Sequence, residues 1–126
     1  MKKFLLTLCL FLPVLSLPAQ MRYGRKVIID QPVNNDLYIA GGTITINAPI
    51  RGDLVVAGGT IVVNDSVTND ILLAGGEITF NGYVGDDIRS AGGKLRIYKS
   101  VAGDVLVTGG DIFIDRGATV GGLIVS

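Results

Sequence analysis

The sequence predicts a single-stranded parallel β-helix with 17 residues per turn, on three observations. Glycine pairs recur at Gly41-Gly42, Gly58-Gly59, Gly75-Gly76, Gly92-Gly93 and Gly109-Gly110, each 17 residues from the next. Asp36, Asp53, Asp70, Asp87 and Asp104 keep the same step. Apolar residues keep it too, at Leu37, Leu54, Ile71, Ile88 and Val105, and again at Ile44, Ile61, Ile78, Leu95 and Ile112. Self-similarity at a short fixed period marks a stacked repeat. Within each half-repeat apolar and polar residues alternate, which is the period of a half-buried strand.

Each unit has room for two strands of about four or five residues and a short third one. The glycine pair recurs too often for a helix, and β-branched residues dominate. Such a strand cannot bury its inner face alone. Stacking coil on coil in parallel buries a continuous core. The expectation is a three-sided solenoid, right-handed by the usual crossover preference. A left-handed hexapeptide helix is the rival, but the apolar steps do not stay at six.

In chain order, residues 1–20 stand apart. Lys2 and Lys3 precede an apolar run from Phe4 to Leu17, ending in Leu17-Pro18-Ala19. This reads as a secretory signal peptide cleaved near Ala19 or Gln20, since the run is short for a membrane span. It predicts export across an inner membrane to the periplasm or cell envelope of a bacterium. Cys9, the only cysteine, falls inside it. Cleavage takes two of the eleven basic residues and none of the eleven acidic ones, leaving nine against eleven, a net of −2. With no basic surplus, a nucleic-acid partner is not expected.

Residues 21–26 read as a short linker and 27–126 as the solenoid domain. Val27–Asn35 matches Ile44–Gly52 and forms half a repeat. Five full turns follow, the fifth with one extra residue in Arg116-Gly117-Ala118-Thr119, where a turn tolerates it. A sixth turn starts at Gly121-Gly122-Leu123, giving about six turns, or about 29 Å at the spacing of paired strands. Its abrupt stop at Ser126 is the pattern of a chain that continues. Both ends finish mid-turn with open strand edges, and open edges recruit other strands. Val27, Ile29 and Val33 at one end, and Leu123 and Val125 at the other, are therefore the candidate end-to-end assembly residues. Charge placed at Ile29 or Val125 is expected to leave the fold intact and weaken assembly.

The recurring polar positions read as structural. Glycine at the corner turns the chain through positive φ and lets coils stack closely. A phosphate cradle would need a following helix and usually a lysine. The aspartates follow Asn35, Gly52, Asn69, Asp86 and Gly103, types that tolerate a left-handed turn, and fit Asx-turns that accept nearby amides. A calcium column is the rival, with too few oxygens per turn. Asn47, Asn64 and Asn81 can stack as an amide ladder. Tyr38, Val55, Leu72 and Leu106, interrupted by Arg89, point outward as an apolar lateral stripe, fit for a side contact or a membrane.

No catalytic constellation emerges, and neither a cofactor nor a small-molecule substrate is expected. Histidine is absent. Asp86-Asp87 is the one adjacent acidic pair, and neighbouring strand residues diverge. Ser90 occupies an apolar core position with no base beside it. A pectin-lyase type enzyme would need clustered carboxylates and a basic residue on a much longer helix.

The text Gly-Asp-Leu-Val-Val-Ala-Gly-Gly-Thr-Ile-Val-Val-Asn at residues 52–64 resembles the bactofilin-type, polymer-forming cytoskeletal repeat family, and the resemblance extends over residues 27–126. It implies a right-handed, three-sided β-helix whose ends join into non-polar filaments without nucleotide. Cytoplasmic members lack an export leader, and exported or membrane-linked relatives carry membrane spans after the repeat. The expectation is a non-enzymatic, self-associating envelope scaffold whose main partner is itself, with membrane or envelope components as further partners. The alternative is an exported adhesin or envelope module that binds a partner through its side.

Overall fold

The computed structural model describes residues 20–125. The expected leader thus lies outside the described residues, apart from Gln20. Eight strands make one parallel sheet: β1 (Gln20–Ile29), β2 (Leu37–Ile46), β3 (Leu54–Val63), β4 (Ile71–Phe80), β5 (Ile88–Ile97), β6 (Val101–Thr108), β7 (Asp111–Ile114) and β8 (Val120–Val125). Their order is β1-β2-β3-β4-β5-β6-β8, with β7 also beside β5. Leu37 pairs with Leu54, Leu54 with Ile71, and Ile71 with Ile88, so each coil lies on the next in 17-residue register. The chain is a β-solenoid of about six coils.

The two short strands expected in each repeat are one continuous ten-residue ladder in β2 through β5. The glycine pair sits in its middle. Leu37 and Ile39 face inward before the pair, and Ile44 and Ile46 after it. The step from Ile39 to Ile44 is odd, so the inward face rotates at the glycines and the strand rounds a corner. A third inward segment pairs by single bridges, Val33 to Ile50, Ile50 to Val67, Val67 to Val84 and Val84 to Val101. These segments close a dry core, with Phe80 its largest fully buried side chain. Ser90 takes its place in the inner column between Leu73 and Val107 and is buried. Among the described residues no buried side-chain nitrogen or oxygen lacks a hydrogen-bond partner.

Of the two roles expected of the glycine pairs, positive φ and close stacking, only the second holds through β2, β3 and β4. Positive φ occurs at Gly24, Gly92, Gly109 and Gly110, not at the pairs of β2, β3 and β4. There the constraint is close stacking: a Cβ on Gly58 would lie 2.5 Å from the Gly41 carbonyl oxygen. Only the last pair is left-handed, with φ of 80° at Gly109 and 64° at Gly110. It splits the sixth coil into β6 and β7. The extra length after Asp115 forms a turn closed by the Ala118 N–H donating to the Asp115 carbonyl, 3.0 Å. The register then shifts between the Val101–Val120 and Asp104–Gly122 pairs.

The expected linker at 21–26 is not a linker. It belongs to β1, where Met21 pairs with Tyr38 and Lys26 with Thr43. The first coil therefore begins at Gln20. Its missing repeat signature has a physical cause: the inner columns there end in Gln20 and Arg22, exposed polar residues beside Leu37 and Ile39.

Candidate functional site

Two polar columns run along the solenoid axis. Four aspartates of the corner column accept the backbone N–H of the aspartate one coil on: Asp53 N to Asp36 Oδ1 at 2.8 Å, Asp70 N to Asp53 Oδ1 at 3.1 Å, Asp87 N to Asp70 Oδ1 at 3.0 Å and Asp104 N to Asp87 Oδ1 at 2.8 Å. The expected local Asx-turn is thus replaced by a bond between coils. The residues before each aspartate are not left-handed either, since neither Gly52, Gly103 nor any described non-glycine residue has positive φ. The asparagine column is an amide ladder: Asn81 donates to Asn64 at 2.9 Å, Asn64 to Asn47 at 2.8 Å, and Asn47 to the Asp30 carboxylate at 3.1 Å. Both columns use side chains to bind coil to coil.

Asp86 and Asp87 do not diverge, because they sit at a bend before β5 rather than in a strand. Their carboxylates and that of Asp70 converge, with ligand oxygens within 4.8 Å of one another. Repulsion by Asp70, then loss of hydration, then repulsion by Asp87 raise the Asp86 carboxyl above its ordinary 3.8. The folded chain therefore holds that proton more tightly than the unfolded chain does. Stability from this group is present below the ordinary carboxylate range and is lost as pH rises through the raised folded value. Asp86→Asn is expected to give a small rise in melting temperature at pH 7. That gain should vanish near pH 3, as thermal melts at both pH values will show.

Of the assembly residues, Val27, Ile29 and Val33 are buried in the first coil's core. Charge at Ile29 would therefore damage the coil, which corrects the expectation that it spares the fold. Leu123 and Val125 are different. They continue the inner columns of Val105 and Val107, and Val125 is 51 % exposed because no later described coil covers it. β1 pairs only with β2, and β8 only with β6, among the described residues. Adjacent residues of a parallel strand bond to opposite neighbours, so each end presents a row of unpaired backbone groups.

Tyr38, Val55, Leu72 and Leu106 do form one outward column, interrupted by Arg89. The column extends further than expected, to Met21 beside Tyr38 and Ile124 beside Leu106. A second outward column runs beside it: Tyr23, Ala40, Ala57, Ala74, Ala91 and Thr108. The alanines were visible as part of the Ala-Gly-Gly corner, and their alternation with the stripe was the signal for a shared face. Met21 and Tyr23 were hidden by the linker assignment.

An open trough of about 510 Å³ lies along the third side, lined by hydroxyls including Ser66, Thr68, Ser100 and Thr119. Thr119 donates its N–H to the Ser100 hydroxyl at 3.1 Å, and the two hydroxyls lie 3.2 Å apart. Among the described residues neither has an imidazole or thiolate beside it to act as a base. Comparison with protein-family models, with curated proteins and with solved structures finds no match to this chain.

Proposed function

We propose that this chain is a structural, non-enzymatic β-helix scaffold that joins end to end into polymers without nucleotide, in the manner of the bactofilin-type repeats it resembles. The observation that carries the reading is the pair of uncovered ends. Among the described residues the outer strand edges of β1 and β8 have no partner, and Leu123 and Val125 lie exposed over the last described coil. Edge groups of this kind are templates for another strand. The leader-like segment at Met1–Gln20 supports a place in the envelope, and the absence of histidine supports a role without acid–base chemistry.

Electron microscopy and sedimentation velocity of the purified protein test this. Filaments are expected, and a species that stays monomeric at high concentration would overturn it. Val125→Asp changes an exposed residue of the last described strand, so it should keep the melting temperature. It should raise the concentration needed for assembly roughly tenfold or more, as charge on a desolvated contact does. A second reading, an envelope module that binds a foreign partner through its side, draws on the column of Tyr38, Val55, Leu72 and Leu106. In that case Leu72→Lys would abolish partner binding and spare the filaments.

A further inference from the structure

The face that carries the apolar column and the alanine column is the least polar surface of the solenoid. Arg89 is the only charge within the two columns, from Met21 at one end to Ile124 at the other, and the exposed Arg22 lies beside them at the first coil. Met21, Tyr23, Tyr38, Leu72, Leu106 and Ile124 are 37–82 % exposed. The alanines and Val55 add to them. These six large side chains, with Val55 and the alanines, together offer on the order of 800 Å², the share each partner gives to a stable interface.

From this surface we infer that two copies of the chain pair side by side through this face, coil against coil, with the large column of each lying over the alanine column of the other. The pairing is independent of end-to-end joining.

Three observations choose this occupant. The first is shape. Large residues alternate with small ones along the middle strands of the face: Tyr38 with Ala40, Val55 with Ala57, Leu72 with Ala74. A two-fold axis parallel to the solenoid reverses the strand direction and sets each large residue over an alanine. A shallow apolar hollow of about 260 Å³ lies between the columns at Tyr23, Tyr38, Ala40 and Ala57. Another, of about 160 Å³, lies at Ala91 between Leu72 and Leu106. The second is pitch. The rows repeat once per coil, and a stack with the same coil spacing matches them along the whole face, as identical sheets do in dry, interdigitated interfaces. The third is charge. Asp53, Asp70 and Asp87 border the large column, and this acidic edge opposes an anionic lipid surface. Alanines are also poor anchors for a bilayer, which favours large amphipathic side chains at its interface.

The test uses sedimentation velocity of the purified protein in the Val125→Asp background, which suppresses end joining. The expected result is a dimer. Leu72→Lys, an outward change that leaves the core alone, should weaken the dimer roughly tenfold or more at an unchanged melting temperature. Thr79→Lys, on the next side of the solenoid, should leave it intact. Arg89→Leu completes the column and should tighten it. When Leu72→Cys and Ala74→Cys copies are mixed and oxidised, the disulfide should form between the two kinds of copy. A monomer in the Val125→Asp background, or a Leu72→Lys variant that pairs like the parent, would overturn the inference. So would disulfides confined to Leu72→Cys pairs. Vesicle flotation that depends on Leu72 while the protein stays monomeric would assign the face to lipid instead. Loss of filaments in Val125→Asp with the dimer retained separates this interface from the ends.

Discussion

Gly58→Val is expected to destabilise the solenoid by about 3 kcal/mol or more, beyond ordinary overpacking. A Cβ there would sit 2.5 Å from the Gly41 carbonyl oxygen and 2.9 Å from the Ile44 Cδ1. The carbonyl is backbone, held in the β2–β3 ladder, and cannot swing aside as a flexible side chain would. Relief requires the coils to separate by a large part of an ångström, which loosens the hydrogen bonds on both sides of the corner. The damage falls in the middle of the stack, where each coil supports two neighbours, so it spreads along the axis. Thermal or denaturant melts will show it as a large fall in the midpoint. Gly117→Ala is the control: its Cβ would meet only the Asp115 Oδ2, at 3.5 Å, and should shift stability by no more than about 0.5 kcal/mol. A Gly58→Val chain as stable as the parent would mean that the coils are not stacked this closely.

Phe80→Ala is expected to cost about 3–5 kcal/mol, the range for deleting a buried aromatic ring. Phe80 lies in the inner column between Val63 and Ile97 and is fully buried. Its neighbours are poorly placed to fill the void. The coils above and below are fixed at strand spacing by their backbone bonds, and the walls are tied by the aspartate and asparagine columns. Collapse around the cavity is therefore limited, which sets the cost toward the upper part of that range. Chemical denaturation of parent and variant measures it. Phe80→Leu keeps most of the volume and should lose much less.

Much of the architecture was legible in the chain itself. Leu37, Leu54, Ile71 and Ile88 repeat at one step, and identical coils convert that step directly into register. The inward columns and the stacking direction therefore followed from spacing alone. Only the start of the first coil was not legible, because Gln20 and Arg22 stand where later coils carry leucine, isoleucine and valine. Without those residues the period is silent over residues 21–26, and that part of β1 reads as a linker. The corner chemistry was legible in position and not in partner. Spacing located every aspartate, while the partner of its carboxylate is an amide in the next coil, a contact that no local turn rule describes.

Coil length, the identity of most inward residues and the places where only glycine fits between layers are written in the linear chain. These depend on period and on side-chain type, and both are properties of the linear chain. Tertiary structure alone decided the rest: the convergence of Asp70 with Asp86 and Asp87, the burial of Ile29, and the union of Met21, Leu72 and Ile124 with the alanines on one apolar side. Those relations run across the chain rather than along it. They depend on where each coil rounds its corner and on which backbone lies beneath, and stacking settles both.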